Sequence, residues 1–299
     1  MRVLVFGRSG QLSHALGRCA LPAGWVMERV GRERVDIADA EQVNAEVMRF
    51  SPDVIINAAA YTNVDLAESN ERQAYAVNCD GAANVARAAS QRDCPVIHIS
   101  TDFVFSGDAH EPYTEADAVG PLSVYGASKE AGERAVRDFA PAHIIVRTSW
   151  LYSASDGNFV TAIVRHLSKS SSISVVDDQT GSPTYASDLA STLIEMAAQL
   201  DRRNDEQYGT FHVADTGSIS RYVFAREIQA AMTRRLGREW SGASCEIVPI
   251  ASALRKDPAA RPTFSSLSCA KLQTVYGLTL PEWRESLEVC LVELADRMS

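Results

Sequence analysis

Short apolar runs alternate with amphipathic stretches through the first half of the chain. Arg2-Val3-Leu4-Val5-Phe6 has the length of a strand and ends at Gly7-Arg8-Ser9-Gly10-Gln11-Leu12-Ser13; Leu12, Ala15, Leu16 and Cys19 then recur at helical spacing. The pattern predicts strand, glycine turn and helix. Trp25 to Val30 reads as a second strand, followed by a helix that Asp39 caps and that runs to Phe50. Asp53 to Asn57 is a third, fully buried strand, and a long helical segment from about Glu71 to Arg92 precedes a fourth strand at Pro95 to Asp102. Pro112 to Pro121 is loop, Tyr125 opens the next helix, and His143 to Arg147 is a fifth strand ending in Thr148-Ser149-Trp150. Strand and helix in alternation is the signature of a parallel, doubly wound sheet.

Beyond Trp150 the pattern loosens. It predicts a helix over Phe159 to Ser168, a sixth strand at Ser172 to Val176, a turn-rich loop from Gln179 to Pro183 and a helix over Leu189 to Leu200. A short returning strand at Phe211-His212-Val213, a helix over Tyr222 to Leu236, a strand at Glu246 to Pro249 and a closing amphipathic helix over Pro281 to Met298 complete the reading. The expected fold is α/β: a Rossmann-type doubly wound parallel sheet with a smaller, interleaved C-terminal α/β substrate domain. Residues 1–150, with returning elements at about 172–215, are expected to form the dinucleotide-binding part, and 151–171 with 216–299 the substrate-binding part.

Composition narrows the class. The 299 residues are 46% hydrophobic and 22% charged, an ordinary folded chain with room for one large α/β domain and a satellite. A formal net charge of -9 argues against nucleic-acid and membrane-surface roles, which select clustered Lys and Arg. Any phosphate must be met by local basic residues. The first strand begins at Arg2, leaving no room for a cleaved signal peptide, and no apolar stretch approaches the ~18 residues of a membrane span, so a cytoplasmic location is expected. Six scattered cysteines without a C-x-x-C pair and six histidines without ligand spacing predict neither a disulfide framework nor a metal site.

The candidate chemistry centres on Tyr125-Gly126-Ala127-Ser128-Lys129, which places a phenol and an ammonium on one face of a helix. An ammonium beside a tyrosine stabilises the phenolate and lowers its pKa, which makes an acid/base catalyst; Tyr-x-x-x-Lys also arises by chance in many helices. The glycine turn marks Gly7, Arg8, Gly10, Gln11 and Leu12 as candidates for a pyrophosphate, since absent side chains let it approach backbone N–H groups. After the second strand, Arg32 together with Arg8 suits a 2′-phosphate, while Asp36 with Ile37 sits either at an adenine ring or at the ribose hydroxyls. Ala58-Ala59-Ala60-Tyr61-Thr62 after the third strand suggests close approach to something flat, or small residues packing a strand on a helix. Ser100 and Thr101 lie at the carboxyl end of a central strand, where open α/β sheets hold ligands; capping the next turn is the alternative.

Taken together, a glycine turn after the first strand, a hydroxyl after the fourth and Tyr-x-x-x-Lys on the following helix resemble the extended short-chain dehydrogenases/reductases. That resemblance implies that Thr101 hydrogen-bonds a substrate carbonyl, Tyr125 exchanges a proton with its oxygen, and Lys129 holds the nicotinamide ribose while lowering the Tyr125 pKa. Asn57-Ala58-Ala59-Ala60-Tyr61-Thr62-x-Val64-Asp65, Ser100-Thr101-Asp102-Phe103-Val104-Phe105-x-Gly107, Pro121-Leu122-x-Val124-Tyr125-Gly126, Arg147-Thr148-Ser149-Trp150, Asp178-Gln179-x-Gly181-Ser182-Pro183-Thr184 and Arg261-Pro262 are similar to the branch that reduces the C4 ketone of dTDP-4-dehydro-L-rhamnose. The branch implies a nicotinamide dinucleotide as cofactor and a small-molecule nucleotide-sugar substrate; Arg8 and Arg32 predict NADPH, with NADH a second cofactor. Ala60, Tyr61, Thr62 and Ser100 would join the cofactor set. Thr62, Val64, Asp102 and Phe103 would line the sugar, Trp150 would offer it a flat apolar face, and Asn158 and Arg261 would meet the nucleotide end. Two departures stand out. Ser13 replaces a third loop glycine, and Ala15 occupies a position where some bacterial members have a glutamate that helps hold magnesium at a dimer contact. The expectation is therefore a monomer or weak homodimer without metal.

A related dehydratase would need Asp-Glu straight after the threonine, and here Phe103 follows Asp102. Another 4-ketosugar reductase or an epimerase stays open, because the same triad serves both. From a different class, the regulatory subunit of methionine adenosyltransferase is similar in sequence and acts as a binding module. Intact Thr101, Tyr125 and Lys129 count against that reading.

Overall fold

The computed structural model describes residues 1–298. Its main sheet holds β1 (Arg2–Phe6), β2 (Val26–Val30), β3 (Val54–Asn57), β4 (Val96–Thr101), β5 (His143–Thr148) and the returning strand Gly209–His212, all parallel. The order is β2-β1-β3-β4-β5 and then the returning strand. Because β2 and β3 flank β1 on opposite sides, the crossovers fall on opposite faces and a crevice opens at the carboxyl ends where the winding reverses. Covering on both faces explains the unbroken apolar runs. Leu4 and Phe6 point into one core with the helices Ala40–Phe50 and Gly81–Gln91, while Val3 and Val5 point into the other with the helices Gln11–Leu16 and Ala186–Gln199.

Local signals set the boundaries. Asp39 caps its helix by accepting from the Glu41 and Gln42 N–H groups. The long helical segment forms from Glu71 to Gln91, but it carries a π turn at Ala76–Asp80 that aims the buried Asn78 inward. The expected sixth strand, Ser172–Val176, also forms, yet it does not return to the main sheet. It pairs in parallel with Glu246–Ile250, and its Ile173 and Val175 pack into a separate core with the helices Phe159–Leu167, Arg221–Leu236 and Trp283–Met298. What returns to the main sheet is the helix Ala186–Gln199 and the strand Gly209–His212. Among the described residues no helix is long and apolar enough to cross a membrane.

Asp215 lies just past the returning strand, where one carboxylate oxygen accepts from the Tyr185 N–H at 2.9 Å. Burial pushes its carboxyl up to about 8; the Tyr185 bond opposes this, the Asp188 charge adds to it, and Ser286 and Glu282 contribute less. A carboxyl raised above its unfolded value near ~3.9 holds a proton that the unfolded chain has released. Its contribution to stability is therefore complete below the unfolded pKa and is lost as pH rises through the folded one. Asp215→Asn keeps an acceptor for Tyr185 and is expected to flatten this slope. Urea midpoints of the native protein should fall between about pH 5 and about pH 9 more steeply than those of the variant; parallel curves would mean that Asp215 titrates normally.

Candidate active site

The helix that carries the tyrosine and lysine begins at Val124, capped by the Ser123 hydroxyl accepting from the Gly126 N–H at 3.2 Å. A Cβ on Gly126 would run into the carbonyl oxygen of Phe103, so glycine lets the helix start seat directly on the turn Asp102–Val104 that follows β4. This seating brings Tyr125 to Thr101. The phenol lies beside the Thr101 hydroxyl, which opposes the rise of its pKa, and the Tyr125 ring meets Phe103 edge-on, centroids 5.7 Å apart. One turn further, Lys129 is 2% exposed and its Nζ donates to the Ile99 carbonyl at 2.6 Å. Asn78 fixes the same helix from behind: its Nδ2 donates to Ser128 Oγ at 2.9 Å and to the Tyr61 carbonyl at 3.1 Å, and its Oδ1 accepts from the Tyr61 N–H at 2.8 Å.

Electrostatics correct one expectation. Tyr125 was expected to be lowered by Lys129. Instead burial pushes the phenol up to about 12, the Thr101 hydroxyl opposing and the Asp102 charge adding. Lys129 is itself pushed down to about 8 by burial, with Glu133 opposing, and its ammonium is turned to the Ile99 carbonyl. A phenol at about 12 is fully protonated at neutral pH, the state a proton donor requires.

Around the threonine lies a buried polar cluster. Asp102, 2% exposed, accepts from Thr101 Oγ1 at 3.1 Å and Ser149 Oγ at 2.8 Å, and Ser265 also hydrogen-bonds it. Burial raises this carboxyl, and the three hydroxyls and the Arg221 charge oppose the rise. Thr101 also caps the turn, accepting from the Phe103 N–H. Trp150 follows with φ 46°, left-handed backbone that a bulky residue adopts only under strain. One face of its ring is covered by Arg221, whose guanidinium carbon lies 3.5 Å from the indole centroid, which leaves the opposite face as the one that could meet a sugar.

At the other end, Gly7 has φ 101° and a Cβ there would come within 2.9 Å of the Ala59 nitrogen. Ala58 and Ala59 thus pack on the glycine turn itself. A Cβ on Gly10 would meet nothing within 4 Å, which leaves open space over the loop at the carboxyl end of β1, as a bound pyrophosphate needs. Gln11 ties the turn to the segment after β5, donating to the Leu151 carbonyl at 3.3 Å and accepting from Ser153 Oγ at 2.8 Å. Ala60 and Tyr61 are half-buried and Thr62 exposed beyond β3. The Leu12 and Ile37 side chains, 5% exposed each, build the core instead of facing a cofactor. Arg8 and Arg32 are both exposed and carry carboxylate partners, Glu33 at 3.3 Å and Asp36 at 3.1 Å.

Three further expectations change. Ser100 is not presented to a cofactor, because its hydroxyl donates to Glu133 Oε1 at 2.6 Å in the interior. Asn158 forms a capping box with Thr161, and its Nδ2 donates to the Ser153 and Ser155 carbonyls, so its polar atoms serve the fold. Arg261 is neutralised by Asp65 at 2.9 Å and Asp257 at 3.0 Å, which joins the short helix Val64–Ala67 to the Arg261-Pro262 segment. Sequence reasoning missed Asn78, Glu133, Ser149, Arg221 and Ser265. Glu133 carried a signal in its place one turn beyond Lys129 on the same helix face, and Ser149 in the Arg147-Thr148-Ser149-Trp150 run.

A doubly wound sheet with a glycine turn after β1 and Thr101, Tyr125 and Lys129 gathered at the end of β4 defines the architecture of the extended short-chain dehydrogenases/reductases. Residues 1–296 match the family model of the RmlD substrate binding domain, and the chain belongs to that family. It is 39% identical over 287 residues to the dTDP-4-dehydrorhamnose reductase of Sinorhizobium fredii, covering 96% of this chain and 95% of the relative. It is 38% identical over 305 residues to the enzyme of that name from Mycobacterium tuberculosis, covering 100% and 95%. The crystal structure of dTDP-4-dehydrorhamnose reductase from Bacillus anthracis in complex with NADP superposes with a TM-score of 0.88 at 36% identity, over 98% of this chain and 99% of that one.

Proposed function

We propose that this protein reduces the C4 ketone of dTDP-4-dehydro-L-rhamnose to dTDP-L-rhamnose with NADPH. The observation that carries the reading is the convergence of Thr101, Tyr125 and Lys129 at the carboxyl end of β4 in a chain whose relatives bear that reductase name over nearly their whole length. The bound cofactor supplies the hydride to the ketone carbon. Tyr125, kept protonated by burial, gives its proton to the ketone oxygen, and the Thr101 hydroxyl, turning its one proton from Asp102 to the substrate, holds that oxygen with a second hydrogen bond. Lys129 anchors the nicotinamide ribose from the floor of the site. Residues 1–150 with the returning helix and strand hold the dinucleotide, and the core built on Phe159–Leu167, Arg221–Leu236 and Trp283–Met298 holds the sugar nucleotide. The protein acts in the cytoplasm as a monomer or weak homodimer, which sedimentation with and without a chelator tests.

The deciding experiment follows loss of nicotinamide absorbance with the 4-keto sugar nucleotide and identifies the product by NMR. A product epimeric at C4 would assign the chain to another 4-ketosugar reductase with the same triad, and no oxidation of NADPH would end the reading.

Cofactor choice follows from the exposed arginines. Ion pairs between exposed groups contribute little, so Glu33 and Asp36 release Arg8 and Arg32 to a stronger partner at small cost. A 2′-phosphate is such a partner, and one charge-assisted contact is worth about ten- to a hundred-fold in affinity. The native protein is expected to show a higher kcat/KM with NADPH than with NADH. The Arg8→Ala, Arg32→Ala double variant should lose most of that ratio, and Glu33→Gln should enlarge it. Equal use of both cofactors by the native protein would leave these arginines as solvent-facing ion pairs.

A further inference from the structure

We propose that Arg221 holds the diphosphate of the nucleotide-sugar substrate, an inference that rests on the reading above. The neighbouring guanidiniums are already matched to carboxylates: Arg147 to Glu133 at 2.7 Å, and Arg261 to Asp65 at 2.9 Å and Asp257 at 3.0 Å. Arg221 is different. Among the described residues its side chain has no hydrogen bond or ion pair, and its guanidinium carbon lies 3.5 Å from the Trp150 centroid and 4.8 Å from that of Phe159. Stacking uses the face of a planar guanidinium, whereas its five N–H donors lie in the plane, so the rings fix the group and leave the donors free. That fork matches phosphate oxygens.

Its surroundings favour an anion. Burial disfavours the Arg221 cation; Asp102 favours it, but that carboxylate is engaged by Thr101, Ser149 and Ser265, and the Arg261 charge repels. Arg221 is also the first residue of the 16-residue helix Arg221–Leu236, whose first turn carries no acidic residue, so the positive end of the helix adds to the guanidinium. In a nucleotide sugar the deoxysugar and the nucleoside are neutral and the diphosphate carries the charge. Trp150, Ser149 and Asp102 link Arg221 to Thr101, so a diphosphate held there would lie next to a sugar at the triad. The cofactor's pyrophosphate has a different place, at the Gly7–Gly10 turn after β1.

Titration calorimetry with dTDP, thymidine and NADPH tests the assignment on native protein, Arg221→Gln and Arg221→Lys. Native protein is expected to bind dTDP well above thymidine. Arg221→Gln should bind dTDP about ten- to a hundred-fold more weakly while keeping native NADPH affinity, and Arg221→Lys, which retains the charge without the fork, should fall between them. Native dTDP affinity in Arg221→Gln overturns the proposal. If the glutamine variant loses NADPH as well, the lysine variant decides: weakened dTDP binding with intact NADPH binding supports the assignment, and any other result in it overturns the assignment. Native protein that binds NADPH but no dTDP overturns the substrate reading, and the role of Arg221 with it.

Discussion

Tyr125→Phe is expected to slow reduction by roughly 10²–10⁴-fold while NADPH affinity stays within a few-fold. The substitution removes the proton donor and little else. The ring keeps its edge-on contact with Phe103, and Lys129 keeps its bond to the Ile99 carbonyl, since neither involves the phenol oxygen. Because burial pushes the phenol up to about 12, the native enzyme should hold its donor protonated across the neutral range, and the pH dependence of the chemical step should not break near 7 from this group. Single-turnover absorbance changes measure the step, and fluorescence titration measures cofactor affinity. A loss smaller than about tenfold would move the proton donor to Thr101 or to solvent. The altered pKa matters for direction as well. A tyrosine lowered towards neutrality would serve as a base for oxidation, whereas a phenol raised to about 12 is poised to give its proton to an alkoxide.

The strands β1 to β5 were legible in the sequence because parallel strands covered on both faces are apolar at consecutive positions, and no tertiary knowledge is needed to see that. Tyr125 and Lys129 were legible for a similar reason, since four residues on a helix is one turn. Pairing was not legible at Ser172–Val176, whose short mixed run fits any sheet edge; Glu246–Ile250, distant in sequence, claims it. The same limit separated Ser100 from Thr101. Both hydroxyls stand at the end of β4, and only the fold reveals that Glu133 lies beneath the first and the Tyr125 phenol beside the second. Burial, likewise a tertiary property, reversed the expected shift of Tyr125. Arg221 had no sequence signal, because a guanidinium just ahead of a helix is usually solvated, and its meaning comes from the two rings that the fold places against it.

Arg147→Ala is expected to cost about 3–5 kcal/mol of stability, the range for removing one partner of a buried ion pair. Glu133 has 0% side-chain exposure and Arg147 3%. Arg147 Nε and Nη2 donate to the two oxygens of Glu133 at 2.9 and 2.7 Å, while Ser100 Oγ donates at 2.6 Å and Arg137 Nη2 at 2.7 Å. Burial alone would raise the Glu133 carboxyl; the hydrogen bonds and charge of Arg147, with Ser100 and Arg137, hold it below its usual range. A carboxyl depressed in the native state adds stability above its unfolded pKa near ~4.3 and loses it as pH falls through the native value. In the variant, Ser100 and the more exposed Arg137 must carry the charge alone, so Glu133 should take up a proton at higher pH and acid unfolding should begin earlier. Activity should fall too, because Glu133 shares the helix Val124–Phe139 with Tyr125 and Lys129, and Ser100 adjoins Thr101. Replacing both partners, Glu133→Leu with Arg147→Met, separates the two effects. Well-packed apolar residues often restore the stability of a broken pair, so urea midpoints should recover most of the loss while kcat stays low if the network positions the helix. A single variant within about 1 kcal/mol of native would show that Arg137 and Ser100 suffice to hold the buried carboxylate.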